Sequence, residues 1–397
     1  MLSRIAWIYA LALCLPALAR PDEPKAAHLR SRMQAFVDSG EIAGAVTVVG
    51  RKDGVISFET FGKQRLDGES MPKGALFRIA SMTKPITAIG IMILVEEGKL
   101  AVDDPVEKHL PEFKGQMLVA ERKEGTVTLK KPARPITLAD LLTHTSGLPG
   151  GPPAGLSDLY TKRNHTLAEA VMAFSQRPLD FEPGSKWAYC NAGIDTLGRV
   201  IEVASGISYE EFLKKRVFDP LNMSDTTFYP TAAQLSRLAV TYNRVNGKLE
   251  PQPNSILALP AGAKYPIPAG GLYSTGADLA KLYQCLLNGG SQGKTQILSS
   301  KSLAEMTAIH TGELKAGFTP GMGWGYGFGV VKEPTGVTAM LSPGTFGHGG
   351  AFGTQAWIDP KQDLFVVLLI QRTGLPNSDA SKMRETLQQA AVALIKK

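Results

Sequence analysis

The spacing of apolar and polar residues divides the chain into strand-like ends and a helical middle. Residues 25–39 carry the three-to-four-residue period of an amphipathic helix. Residues 43–50 (AGAVTVVG) and 55–61 read as two strands around a turn at Lys52-Asp53-Gly54. Residues 83–97 form a strongly apolar helical stretch stopped by Gly98, with Pro85 tolerated in the first turn. From about 102 to 265 the pattern becomes loop-rich and mostly helical, with helices expected over 137–142, 191–204 and 209–216. Pro/Gly clusters at 149–155 and 261–271 punctuate it. A helix is expected over 278–287. Strand signals then return at 326–331, 354–358 and 364–370 (LFVVLLI), before a closing helix over 381–395.

This order predicts an α+β fold: one antiparallel sheet built from both chain ends, with flanking helices and an inserted, mostly helical region. It also predicts a single catalytic domain over 20–397. Its α/β part spans about 25–101 and 266–397, and its helical part about 102–265. The cleft between the two parts is the natural place for a site.

Composition narrows the function. Apolar residues make up 44% and charged residues 20% of the 397, as in a soluble globular protein. A core of that size needs no disulfide or metal. The net charge of +7 is spread over small groups such as Lys130, Lys131 and Arg134, or Lys214, Lys215 and Arg216. No concentrated basic stripe or reading motif points to nucleic acid.

The first residues differ from the rest. Arg4 is the one charge before Arg20; an apolar run over 5–15 follows, then Pro16 and the small-residue site Ala17-Leu18-Ala19. This layout predicts a signal peptide over 1–19, cut after Ala19, and an exported protein, periplasmic or secreted. The run is too short to span a bilayer, so no stable membrane insertion is expected after cleavage. Leu13 is too bulky for a lipid-attachment motif at Cys14. Two cysteines remain, Cys190 and Cys285; whether they pair is open from sequence. Neither has the spacing of a zinc site.

Two serine motifs compete. Gly289-Gly290-Ser291-Gln292-Gly293 fits G-x-S-x-G, but a helix precedes it where a nucleophile elbow needs a strand. It reads as a helix stop and turn. Ser81-Met82-Thr83-Lys84 is an S-x-x-K motif at the start of a helix. Three residues is nearly one turn, so Ser81 and Lys84 share a face. A serine hydroxyl needs a base to take its proton, and a lysine can serve if its pKa is depressed. Alone, the motif is as well explained by a capping serine and a solvated lysine.

Two further elements accompany it. Tyr189-Cys190-Asn191 lies before a helix, where Tyr189 and Asn191 can face one cleft; the phenol could ionise beside Lys84 and act as base. Asn191 could orient Lys84 or bind a substrate carbonyl. Gly347-His348-Gly349-Gly350-Ala351 precedes the strand at 354–358. Its glycines allow close approach of a substrate, and the amides of Ala351 and Ser81 could form an oxyanion hole.

S-x-x-K, Y-x-N and a third H-x-G element, in this order, resemble the serine β-lactamase-related superfamily: class C β-lactamases, D,D-peptidases and family VIII carboxylesterases. The resemblance runs over about residues 28–395 and includes ITLADLLTHTSGLP (136–149), LNMSDTTF (221–228) and PAGGLYSTGADL (268–279). It implies a β-lactamase/transpeptidase-like fold and an acyl-enzyme on Ser81, with no cofactor or metal. It further implies that Lys84 and Tyr189 share the base work and that Tyr189 activates the second nucleophile, water or alcohol. Asn191, His348, Gly349 and Gly350 bind or orient substrate.

One departure matters. The family's β-lactamases usually carry Lys-Thr-Gly where this chain has His348-Gly349-Gly350. A histidine is only partly charged at neutral pH, so the grip on a substrate carboxylate is weakened. That favours small esters or amides, and FGTQAWIDP (352–360) resembles the esterase and transesterase branch. A β-lactamase, a D-amino-acid-specific peptidase and a β-lactam-binding protein without turnover are the alternatives. His144 reads as a turn residue, Trp187 as cleft wall, Cys190 as pointing away from the site, and the pairs Asp103-Asp104 and Glu96-Glu97 as surface.

Overall fold

The computed structural model describes residues 23–252, 257 and 259–396. The expected signal peptide lies outside the described residues. The fold is the α+β arrangement expected, centred on a seven-stranded antiparallel sheet. Two strands come from the N-terminal part: β1 (Gly44–Arg51) and β2 (Gly54–Gly62). Five come from the C-terminal part: β3 (Met322–Trp324), β4 (Gly329–Val331), β5 (Phe346–Gly349), β6 (Gln355–Asp359) and β7 (Leu364–Leu369). Their order is β3-β4-β5-β6-β7-β1-β2. The chain ends meet at the β1–β7 pairing, where Val46 faces Leu369 and Val48 faces Val367.

Both faces of the sheet are covered, which is why β7 reads as an unbroken apolar run rather than an alternation. Helices α1 (Glu23–Asp38) and α6 (Lys382–Ile395) bury one face with Ala45, Val49, Val366 and Leu368. The other face carries Val46, Val48, Val367 and Leu369. It packs on α2 (Thr83–Glu96) and α5 (Gly276–Leu287), and through them on the inserted middle. That middle includes α3 (Leu138–Leu142) and α4 (Asn191–Ser205). α3 starts with a capping box between Thr137 and Asp140; α4 ends on Gly206 in the left-handed region, at φ 76°.

The structure corrects several expectations. The middle also holds two hairpins, Leu118–Lys123 with Thr126–Lys130 and Tyr242–Val245 with Lys248–Pro251. Their strands are largely exposed and lack an alternating apolar face, so no pattern announced them. The strand expected at 326–331 shrinks to β4, and β3 and β5 were not foreseen, since both are short and glycine-rich. Asp104 is not a surface carboxylate. It is buried and accepts hydrogen bonds from Ala101 N (3.0 Å) and Lys108 Nζ (2.6 Å), with His109 Nε2 at 2.9 Å. Cys190 and Cys285 are both buried and unpaired. Gly289 and Gly290 both take positive φ and lead into a small hairpin, in keeping with a turn. Among the described residues, no helix is long and apolar enough to cross a membrane.

Candidate active site

Ser81 sits in a 3₁₀ turn, Ala80–Met82, that runs straight into α2. Ala80 is forced to φ +47°, a conformation costly for any residue with a Cβ. Thr83 Oγ1 holds the turn by donating to Ala80 O at 2.7 Å. The Lys84 side chain, fully buried, reaches back along the same face, and its Nζ donates to Ser81 Oγ at 3.1 Å. A second bond, at 2.6 Å, goes to the carbonyl of Ala269. Burial depresses the Lys84 pKa to about 7, against the pull of Asp195 and Cys190 in the other direction. A useful fraction of neutral amine therefore exists near neutral pH.

Tyr189 lies over this pair. Lys84 Nζ stands 4.6 Å from the centroid of its ring, a cation–π contact. The phenol oxygen is buried and makes no hydrogen bond of normal length among the described residues. Burial holds its pKa well above the ordinary phenol value; the nearby Ser81 hydroxyl draws it down, and Asp379 and Cys190 push it further up. The resting form, open from sequence, is therefore the neutral phenol, and Lys84 Nζ meets its ring face rather than its oxygen.

Asn191 begins α4, half-buried. The expected contact with Lys84 is not made; Ser81 and Ala269 take the lysine's hydrogen bonds instead. Between Tyr189 and Asn191, Cys190 points away from the site, as anticipated, into the core: its thiol donates to Leu148 O and its sulfur accepts from Gly193 N, capping α4.

His348 is not a loop residue but lies on β5, where it pairs with Ala356. Its Nδ1 is 2.6 Å from Gly349 O; the carbonyl can only accept, so Nδ1 carries the proton and Nε2 is left as an acceptor. Burial, with Lys84 nearby, drops its pKa to about 3. This position is therefore neutral, not partly charged. Gly349 precedes Gly350, whose Cα lies against the nucleophile turn. A Cβ on Gly350 would come within 2.5 Å of Ile79 O and 3.4 Å of Ala80 Cβ. The bonds Gly350 N to Thr354 O and Gly353 N to Gly350 O close the turn that carries Ala351.

Sequence reasoning placed His144 in a turn and Trp187 on the cleft wall, but missed most of what they meet. His144, at φ +60°, accepts from Cys190 N through Nδ1 (3.2 Å), and its ring is 4.5 Å from that of Tyr189. Trp187, Phe318 and Trp324 complete an aromatic wall, with Phe318 4.9 Å from Tyr189 and Trp324 5.5 Å from His348. Glycine-rich loops gave no sign that Phe318 or Trp324 would meet there. Also missed was Asp195, which a charged residue on the buried face of α4 could have flagged. Phe318, Trp324, His348, Gly349 and Asp379 line a narrow cavity. Roomier hollows lie elsewhere, beside 131–136 and around 210–234, and contain none of the three motifs.

The seven-stranded sheet, its helical insert and a serine–lysine pair at a helix start define a serine β-lactamase-related protein. A family model described as Beta-lactamase matches residues 29–391, and the chain belongs to that family. It is 34% identical over 373 residues to Protein Rv1367c of Mycobacterium tuberculosis, covering 89% of this chain and 91% of that protein. It is 30% identical over 379 residues to Esterase EstB of Burkholderia gladioli, covering 87% and 91%. Among solved structures, EstCE1, a hydrolase with promiscuous acyltransferase activity, superposes with a TM-score of 0.78 at 27% identity, covering 93% of this chain and 99% of that one. The protein is a serine hydrolase that works through an acyl-enzyme.

Proposed function

We propose that the protein is an exported carboxylesterase or transesterase acting on small, neutral esters. The observation that carries this reading is the neutral His348, proton on Nδ1, where the family's β-lactamases hold a fixed lysine. A neutral position ringed by Trp324, Phe318 and Tyr189 suits an uncharged acyl group and gives nothing to a carboxylate. The relatives EstB and EstCE1 support an ester substrate. The export half of the reading rests on the pattern of residues 1–19.

In this reading Ser81 Oγ attacks the ester carbonyl as Lys84 Nζ, neutral and 3.1 Å away, takes its proton. The oxyanion is met by the amides of Ser81 and Ala351. Tyr189, a neutral phenol at rest, passes its proton to the leaving alkoxide, which departs as the alcohol, and regains one from the Lys84 ammonium. Water or a second alcohol then gives up its proton through the same groups and attacks the acyl carbon, which frees Ser81. Asn191 and the Gly349–Gly350 backbone position the substrate.

The test compares p-nitrophenyl butyrate with a chromogenic cephalosporin, using residues 20–397 and Ser81→Ala. Fast ester cleavage, slow cephalosporin cleavage and an inactive variant are expected. The reverse ratio would move the protein to β-lactamase or peptidase chemistry, and an equally active Ser81→Ala would remove Ser81 from the mechanism.

A further inference from the structure

Asp195 is a buried carboxylate beside the motif triad that this mechanism does not use. It lies on α4, fully buried. Its Oδ2 accepts from two phenols, Tyr265 at 2.6 Å and Tyr160 at 2.9 Å. Its Oδ1 accepts from Ala269 N at 2.8 Å. Three donors on one carboxylate make a built anion site rather than an accidental burial. Ala269 is also the residue whose carbonyl binds Lys84 Nζ. One residue thus faces the carboxylate with its N–H and the lysine with its C=O.

The segment that presents Ala269 is held from several sides. Thr87 Oγ1 donates to Pro268 O at 2.8 Å, and Arg163 Nε to Tyr265 O at 2.8 Å. Leu272 N donates to Thr83 Oγ1 at 3.3 Å. Gly271 is confined against Pro266, whose carbonyl oxygen would stand 1.7 Å from any Cβ there. Without Asp195, the Ala269 amide would lose the one hydrogen bond it makes among the described residues, in a segment otherwise pinned on both sides.

The groups facing Lys84 come from four further elements: Tyr189 and Cys190 before α4, Asp195 on α4, His144 after α3, and His348 on β5. Burial keeps both histidines uncharged and the phenol and thiol protonated. Around Asp195 itself stand Tyr160, Tyr265, Tyr209 and Cys190, all protonated as well. Burial raises the Asp195 pKa to about 6 against the pull of its three hydrogen bonds and of Lys84, so near neutral pH it is the anion that faces Lys84 among these groups.

We propose that Asp195 is the positioning residue for Lys84: it fixes the amine through the backbone of Ala269 and supplies the buried countercharge for its ammonium form. The inference rests on Lys84 acting as the base for Ser81. A carboxylate favours the protonated lysine, so its removal lets Lys84 lose its proton at lower pH.

The test is the pH dependence of Ser81 labelling by a fluorophosphonate, in the parent and in Asp195→Asn, with the ester kinetics in parallel. Asparagine keeps the shape and can still accept from Ala269 N. The acid limb should move down by about one pH unit or more. Because that contact is kept, the plateau rate, kcat and KM should change little, by about threefold or less. A folded Asp195→Asn with an unmoved limb would overturn the inference while leaving the Ser81 reading intact. Parent protein that is not labelled at Ser81 would sink both. If Asp195→Asn does not fold, Tyr265→Phe serves: without its shortest hydrogen bond Asp195 holds its proton to higher pH, less of it is ionised, and the limb moves the same way, by less. An unmoved limb in Tyr265→Phe would then overturn the inference.

Discussion

The two halves of the site are built in opposite ways. On the Lys84 side both members of the charged pair are partnered: the lysine by Ser81 and Ala269, the Asp195 carboxylate by two tyrosines and an amide. On the Tyr189 side buried polar atoms stand without partners among the described residues: Tyr189 Oη, His144 Nε2, His348 Nε2 and the indole nitrogens of Trp187 and Trp324. An orphaned buried donor or acceptor costs about 1–3 kcal/mol, so the second half carries a standing cost that the first does not. The lesson is a division of labour. The half that readies the nucleophile is complete in the free protein; the half that meets substrate is left open to it.

The comparison can be broken in order of expected effect. Ser81→Ala should lower ester turnover about a thousandfold or more, read as release of p-nitrophenol. Tyr189→Phe keeps the ring over Lys84 but deletes the proton relay, and should cost about 10²–10⁴-fold in kcat; a loss below tenfold would reassign the proton to Lys84 alone. In the parent, kcat/KM should fall on the acid side of about pH 7, as Lys84 gains the proton that blocks it as base. His348 adds no second limb there, because it gains its proton only near pH 3. A rate flat down to pH 5 would remove Lys84 as base. Gly350→Ala sharpens the contrast through backbone: its Cβ must displace the Ile79 carbonyl, at a cost of roughly 1–3 kcal/mol in stability, together with loss of activity. Thermal unfolding checks it. The smallest effect is expected from His348→Lys, which should shift preference toward carboxylate-bearing esters by about tenfold.

The fold was legible because its signals are local. The β1 and β7 runs and the apolar α2 declare themselves by composition, and Gly98 marks the end of α2. The nucleophile's neighbourhood was legible where one turn of helix brings Ser81 and Lys84 together. What escaped needed long-range contact. Ala269 is 185 residues from Lys84 and acts through its backbone, which no residue type advertises. Phe318 and Trp324 lie among glycines with no period. The charge on His348 depends on its depth, and the partners Lys84 takes, Ser81 and Ala269, are set by the packing of distant segments.

The β1–β7 pairing sets a schedule for the chain as it is made. The serine, its lysine and α2 emerge early, yet the sheet they rest on closes only when Leu364–Leu369 reaches Gly44–Arg51. The carbonyl that steers the lysine likewise arrives 185 residues later. Such distant closure favours slow folding. A half-synthesised or nicked polypeptide would carry the whole S-x-x-K sequence and still be chemically idle, so reactivity is withheld until the last strand is in place.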